Sequence, residues 1–155
     1  MRTADTPPSG AHRQPRTFAA VQDPALKHQI GLAAEAEEKA FYDRAYLPQW
    51  HVALSPLETD ANKDYLDVVP WIIAALAQKF RVTCTGRQKH YYVNDSVGIA
   101  CGMFVTALHT MDLAPLTHTP NPMGFLTKIP DRPSSEPPTS CSRSATRRPT
   151  ARSLT

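Results

Sequence analysis

Residues 89–102 read KHYYVNDSVGIACG, and this stretch carries most of the information about the fold. It leads into an apolar segment, and together they predict the longest apolar helix of the chain over residues 91–110. Small residues at every second position from 98 to 102 make one side of this helix narrow, which permits another backbone to approach closely. Its most apolar part, residues 97–108, is too short to cross a bilayer. We therefore predict a helix that does not span a membrane.

Outward from this helix, the apolar patterns predict three strands and three more helices. The predicted strands cover 17–21, 68–77 and 113–117, and the predicted helices cover 25–45, 62–67 and 122–128. The apolar run at 68–77 is continuous rather than alternating, which is typical of a strand covered on both faces. Asp23 before Pro24 is a favourable start for the first of these helices. Helices mixed with a few strands, without regular alternation, favour the α+β class.

Composition divides the chain into two parts. A length of 155 residues fits one domain, which we place at 1–131. Residues 132–155 contain four Pro, six Ser, four Thr and five Arg, and this composition predicts a disordered tail. Five arginines and one glutamate give the tail a net charge of +4, whereas the whole chain carries +3, so the domain itself is close to neutral. The basic balance therefore belongs to the tail and does not indicate a nucleic-acid-binding face on the domain.

The sequence shows no signal for secretion and none for a metal. Residues 1–20 lack the apolar segment of a signal peptide, and the three cysteines are an odd, scattered set without a CxxC pair. The six histidines never show the spacing of metal ligands. We predict a cytoplasmic protein with reduced thiols, no metal, and neither a nucleic-acid nor a membrane partner.

Two shorter motifs lie outside the long helix, one near the start of the chain and one just after the helix. PSGAH at 8–12 is a turn of small and polar residues, and LTHTP at 116–120 follows the helix at the end of a strand. Together with KHYYVNDSVGIACG they resemble the nitroreductase superfamily and, within it, the iodotyrosine deiodinase-like branch. The resemblance extends over most of the chain. It implies a nitroreductase-like α+β fold, which is normally an intertwined homodimer, and FMN as the cofactor.

The resemblance assigns the cofactor site to these two motifs. The implied residues are Pro8, Ser9 and Gly10 in the first, and Thr117, His118 and Thr119 in the second. Small residues in the first motif make physical sense, because a flat flavin ring must lie against the backbone there. Thr119 is implied to donate a hydroxyl hydrogen bond to flavin N5, which makes it the catalytic residue through electronic tuning of the cofactor. Taken alone, each motif is an ordinary turn or strand end.

The resemblance also assigns residues to the substrate. Glu38 and Tyr42 are four positions apart and share one helix face, and Lys63 follows 21 positions after Tyr42. In the implied site, Glu38 binds the ammonium group of an amino acid substrate and Lys63 binds the substrate carboxylate. The Tyr42 hydroxyl hydrogen-bonds between them. The Ala11 N–H would face a substrate phenolate. Composition alone favours a different interpretation, a solvated helix face, because charged residues crowd positions 35–39.

Three departures from the family pattern carry expectations of their own. Arg16 stands where the family usually has Trp, which would remove apolar packing beside the turn. The family's Arg-Arg-Ser-x-Arg motif for the FMN phosphate lies upstream of Met1, so weaker FMN binding is expected. After Glu136 the family continues with a strand and an arm that embraces the partner subunit. We hypothesise a frameshift near Glu136, which would leave the fold incomplete at both ends and weaken the dimer.

Three functions are consistent with these residues. The first is an FMN-dependent oxidoreductase that reductively dehalogenates halotyrosine-like phenols, with NAD(P)H or a reductase as electron donor. The second is a general nitro or quinone reductase of the same fold. The third is a truncated, non-catalytic product that folds poorly and binds no flavin. The sequence alone leaves all three open.

Overall fold

The computed structural model describes residues 1–45, 49, 52, 55–57, 60–119, 123–128 and 138–144. Helices α1 to α5 cover Arg2–Asp5, Pro24–Ala45, Tyr65–Val68, Val93–Thr110 and Phe125–Lys128. Strands β1 to β6 cover Arg16–Val21, Trp71–Ala77, Phe80–Thr83, Gly86–Lys89, Leu116–His118 and Pro138–Ser144. Single 3₁₀ turns lie at Gly10–His12 and Ser55–Leu57. The mixture of helices and strands confirms the predicted α+β class.

Four of the strands form one antiparallel sheet in the order β1-β2-β6-β5, and β3 and β4 form a separate hairpin. Residues 72–77 of β2 are all buried, as predicted for a strand covered on both faces. β6 lies between β2 and β5, with Ser142 opposite both Ile73 of β2 and Thr117 of β5. The sheet therefore joins the middle of the chain to its later part.

The position of β6 corrects one prediction. A disordered tail was predicted over 132–155, but seven of these residues form an interior strand of the sheet. The physical reason is that a strand pairs through its backbone, and an empty slot between β2 and β5 would leave backbone N–H and C=O groups without partners. Pro138 is tolerated because it is the first residue of the strand. The remaining residues of that tail, and the frameshift hypothesised near Glu136, lie outside the described residues.

Helices cover the sheet on both faces. One apolar cluster joins β1 and β2 to α2, α3 and α5, and its buried members are Val21, Ile30, Ala34, Leu66, Ile72 and Leu126. A second cluster joins β2 to α1 and α4, and its buried members are Ala4, Ile73, Phe104 and Leu108. The neighbours Ile72 and Ile73 point to opposite faces, because side chains alternate along a strand. Each fully buried Ile contributes about 1.5–3 kcal/mol to the stability of the fold.

Several element boundaries differ from the predictions for local reasons. The strand predicted at 68–77 begins only at Trp71, because Val68 ends α3 and Pro70 cannot donate to the sheet. The strand predicted at 113–117 is shifted to Leu116–His118, beyond Pro115. The hairpin β3–β4 was not predicted at all. The signal in the sequence was Gly86. Its backbone φ is 123°, a value that residues other than glycine rarely adopt.

Candidate functional site

The PSGAH motif forms a turn that packs against the first part of α4. The Ser9 hydroxyl oxygen accepts a hydrogen bond from the Gln14 N–H at 2.8 Å. The Gly10 N–H donates to the Oγ atom of Ser96, which lies on α4, at 3.2 Å. Ala11 has a left-handed backbone with a φ of 49°, which non-glycine residues seldom adopt. Unusual backbone of this kind persists where the surrounding contacts impose it.

Gly10 is the residue that permits this close packing. A Cβ atom at this position would lie 2.9 Å from the Tyr91 carbonyl oxygen and 3.1 Å from the Tyr92 ring. A carbonyl oxygen belongs to the backbone and cannot turn aside as a flexible side chain would, so a larger residue does not fit. The turn therefore lies against the residues that precede α4, and it leaves Pro8 and Ala11 exposed.

Arg16 lies close to the turn and is only 7% exposed. Its Nη2 atom donates to the carbonyl oxygens of Asp5 at 2.8 Å and Pro7 at 3.0 Å. Its Nε and Nη1 atoms have no hydrogen-bond partner among the described residues. Where the resemblance led us to expect a loss of apolar packing, the guanidinium thus ties β1 to α1 and to the start of the turn.

Three titratable side chains from three segments meet in one cluster, which we call the ion cluster: Glu38, Lys63 and His118. Glu38 comes from α2, Lys63 from the segment before α3, and His118 from β5. Lys63 Nζ lies 2.9 Å from Glu38 Oε2, and His118 Nε2 lies 2.5 Å from Glu38 Oε1. The exposed fraction of each side chain is small: 6% for Lys63, 16% for Glu38 and 12% for His118. The carboxylate is therefore held at both oxygens.

The environment of Glu38 favours its charged form. Burial alone would raise the pKa of the Glu38 carboxyl. The hydrogen bonds from His118 and Lys63, together with their positive charge, outweigh burial and lower the pKa below its ordinary value of 4.5. At neutral pH the cluster thus offers a buried carboxylate beside a buried ammonium group.

Further contacts fix Lys63 in this cluster. Its backbone N–H donates to Glu35 Oε1 at 2.7 Å, and its Nζ atom also donates to the Asp60 carbonyl oxygen. The edge of the Tyr65 ring faces the His118 ring, with 6.4 Å between their centroids. The interpretation of this part of α2 as a solvated face therefore does not hold for Glu35 and Glu38.

The other predicted site residues are neighbours of the ion cluster in sequence. Thr117 and Thr119 flank His118 and are exposed, and Tyr42 is half-buried on α2, one turn after Glu38. The Tyr42 ring packs edge-on against the Phe41 ring at 6.0 Å. The predicted site residues therefore form two groups in the contacts described: the turn at 8–11 packs on α4, and the ion cluster joins α2 to β5.

Sequence reasoning missed the role of the His118 side chain. The motif placed His118 with its threonine neighbours beside the cofactor, whereas its imidazole bonds to Glu38. The signal was the period of two in a strand, which sends the neighbours Thr117 and His118 of β5 to opposite faces. Ser96 was missed as well. It is only 2% exposed, and its hydroxyl oxygen accepts the hydrogen bond from the Gly10 N–H.

The described part of the chain shows no metal site and no membrane-spanning helix. No group of three His, Cys, Asp or Glu side chains within it could hold a metal ion. No helix within it is both long and apolar enough to cross a membrane.

Known proteins resemble this chain in sequence and in structure. It is 47% identical over 139 residues to an iodotyrosine deiodinase of Haliscomenobacter hydrossis, a match that covers 89% of this chain and 63% of that protein. It is 41% identical over 121 residues to iodotyrosine deiodinase 1 of Homo sapiens, covering 77% of this chain and 42% of that protein. No family profile matches the chain.

Solved structures give the same assignment. A crystal structure of oxidized iodotyrosine deiodinase bound to FMN and 3-iodo-L-tyrosine matches with a TM-score of 0.82 at 25% identity, covering 94% of this chain and 74% of that one. A nitroreductase with bound FMN from Desulfitobacterium hafniense shares the fold, with a TM-score of 0.66. The chain spans 63% of the Haliscomenobacter hydrossis protein and less than half of the human one. This chain belongs to the nitroreductase superfamily, in its iodotyrosine deiodinase-like branch.

Proposed function

We propose that this chain acts as an FMN-dependent oxidoreductase that removes halogen from halotyrosine-like phenols. In the net reaction, two electrons and one proton replace the carbon–halogen bond by a carbon–hydrogen bond and release halide. The observation that carries the proposal is the Glu38–Lys63 ion pair, in which one charge of each sign lies 2.9 Å from the other in a largely buried setting. The deiodinase relatives support the choice of substrate.

An amino acid zwitterion matches this pair in charge. Its ammonium group is a ligand for Glu38 and its carboxylate is a ligand for Lys63, so each buried charge gains a partner of opposite sign. Burial strengthens both attractions, because the local dielectric constant is lower than that of water. Tyr42, one helical turn after Glu38 on the same face of α2, is proposed to add a hydroxyl hydrogen bond. Glu38, Tyr42 and Lys63 therefore orient the amino acid end of the substrate.

The residues present fit a flavin ring on two sides. The turn at 8–11 contains small residues, and Ala11 is exposed, which allows a flat ring to lie against the turn and the Ala11 N–H to face a phenolate. Thr117 lies on the face of β5 opposite His118, Thr119 directly follows the strand, and both residues are exposed. FMN, when bound, supplies the electrons of the reaction. Thr119 is the residue proposed to donate to its N5 atom, and NAD(P)H is proposed as the source of those electrons.

Two further parts of the proposal concern assembly and location. We propose a homodimer that pairs through α4, because this helix exposes 48% of Ile99 and 36% of Met103 on one face. We place the protein in the cytoplasm, and the exposed free thiol of Cys84 suits a reducing compartment.

The experiment that tests the function is a titration of the FMN-loaded chain with 3-iodo-L-tyrosine, followed by the visible absorption of the flavin. We expect Lys63→Ala to weaken binding about 10- to 100-fold, because one hydrogen bond between charged groups is lost. The matched control is Lys39→Ala, which removes an exposed lysine from α2 and should leave the affinity unchanged. Equal affinity in wild type and Lys63→Ala would refute the substrate assignment.

The same titration separates the proposal from its alternatives. A nitroaromatic that changes the flavin spectrum, beside a halotyrosine that does not, would favour a general nitro or quinone reductase. A chain that retains no FMN after desalting would favour the non-catalytic product.

A further inference from the structure

His118 contributes to the site through another residue rather than through a ligand of its own. Its Nε2 atom lies 2.5 Å from Glu38 Oε1, while Glu38 Oε2 is taken by Lys63. A carboxylate has about four lone-pair positions on its two oxygens. The bonds to His118 and Lys63 use two of them, so the others remain for an incoming ammonium group.

The two partners of Glu38 differ in what happens to them when substrate binds. Under the proposed function, Lys63 receives the substrate carboxylate and its bond to Glu38 weakens at that moment. His118 receives nothing from the substrate and can keep its bond. A glutamate side chain has several rotatable bonds, and ordering it costs entropy at the time of binding unless it is already held.

Two contacts hold His118 from its own side of the cluster. β5 pairs with β6, with His118 opposite Cys141, and the Tyr65 ring packs edge-on against the imidazole. The third member of the ion cluster is Lys63, and the Glu35 carboxylate, beside the cluster, accepts from the Lys63 backbone N–H. His118 is therefore the partner of Glu38 that comes from the sheet.

We propose that His118 is a positioning residue for substrate recognition: it holds Glu38 in the orientation that receives the ammonium group while Lys63 turns to the substrate carboxylate. This inference rests on the proposed function and adds a residue to it. It also gives two neighbours in β5 different roles, with Thr117 on the cofactor side and the His118 imidazole on the amino acid side.

The test compares two ligands that share the halogenated ring, 3-iodo-L-tyrosine and 2-iodophenol, in the FMN-loaded chain. We expect His118→Ala to weaken binding of 3-iodo-L-tyrosine by up to about 10-fold, which corresponds to the cost of ordering one long side chain on binding. Binding of 2-iodophenol, which has no ammonium group, should not change. His118→Gln keeps an N–H donor near the position of Nε2 and should restore most of the lost affinity.

A matched control is available in the same chain. His28 Nδ1 lies 2.9 Å from the Asp67 carboxylate oxygen Oδ2 in an exposed pair, so His28→Ala removes a histidine–carboxylate contact outside the cluster and should change neither affinity. An equal loss for both ligands in His118→Ala would place His118 on the cofactor or in the fold and overturn the proposal. Unchanged binding of 3-iodo-L-tyrosine would overturn it as well.

A second measurement needs neither flavin nor substrate. The titration of the Glu38 carboxyl, followed by carbon-13 NMR of the ligand-free chain, should move to higher pH in His118→Ala and stay in place in His28→Ala. An unmoved Glu38 titration would refute the positioning role even if the wild-type chain bound neither ligand. The failure of both ligands in wild type, with a Glu38 titration that moves as expected, would refute the proposed function alone.

Discussion

At the scale of single residues, the site depends on groups whose neighbours leave them little freedom. Glu38 is bonded at both carboxylate oxygens, and Gly10 is packed against a backbone carbonyl. Sequence reasoning found both residues through a family resemblance, because composition alone indicated a solvated helix face and an ordinary turn. It could not find their partners, since His118 and Ser96 are 80 and 86 positions away from them along the chain.

Gly10 provides the first prediction at this scale. Gly10→Ala should lower the free energy of unfolding by about 1–3 kcal/mol, because the new Cβ must displace the Tyr91 carbonyl or the turn. Gly98→Ala is the control: no atom lies within 4 Å of its added Cβ, so it should stabilise α4 by about 0.5–1 kcal/mol. Urea unfolding of both variants measures the difference. A Gly10→Ala variant as stable as wild type would mean that the turn is not packed as described.

Glu38 provides a prediction about pH. Its folded-state pKa lies below 4.5, so its ionised form stabilises the fold at pH above 4.5, and this contribution is lost as pH falls through the folded-state pKa. Below this pH, the free energy of unfolding of the wild type should therefore fall more steeply with decreasing pH than that of Glu38→Gln, which cannot ionise. The free energy of unfolding, measured across this pH range, gives both slopes. Parallel slopes would contradict the lowered pKa.

At the scale of secondary structure, the long periodic segments were predictable and the short ones were not. The patterns identified α2 through an apolar stripe at helical spacing, and β2 and α4 through their long apolar runs. The hairpin β3–β4 was missed because its exposed residues show no alternation of buried and exposed positions. β6 was missed because its Pro, Ser and Thr content predicts disorder, whereas its place in the sheet is set by backbone pairing with its neighbours.

The interior position of β6 can be tested with one residue. Ser142→Pro removes an N–H from a strand that has neighbours on both sides, and it should lower the free energy of unfolding by about 3 kcal/mol. Ser142→Ala keeps the N–H and should stay within about 0.5 kcal/mol of wild type. Thermal unfolding followed by circular dichroism compares the two. Equal melting temperatures would show that β6 does not contribute to the sheet.

At the scale of the whole molecule, the proposed homodimer makes a prediction about assembly. Ile99→Asp places a charge on the apolar face of α4 and should shift the chain towards the monomer, since burying an unpaired carboxylate is unfavourable. Val82→Asp is the control, because Val82 is 69% exposed on the hairpin β3–β4, away from α4. Sedimentation velocity reports the mass of each variant. A wild-type chain that sediments as a monomer would refute the dimer.

The order of the strands also bears on how the chain reaches this structure. β6 is the last strand in chain order among those described, yet it lies inside the sheet between β2 and β5. During synthesis, β1 and β2 can pair while the far edge of β2 still has unpaired backbone groups. Contacts between segments far apart in sequence form slowly, and an open strand edge is a template for pairing with other chains. The interval between the emergence of β2 and the arrival of β6 is thus the time at which this chain is most exposed to aggregation and most dependent on chaperones.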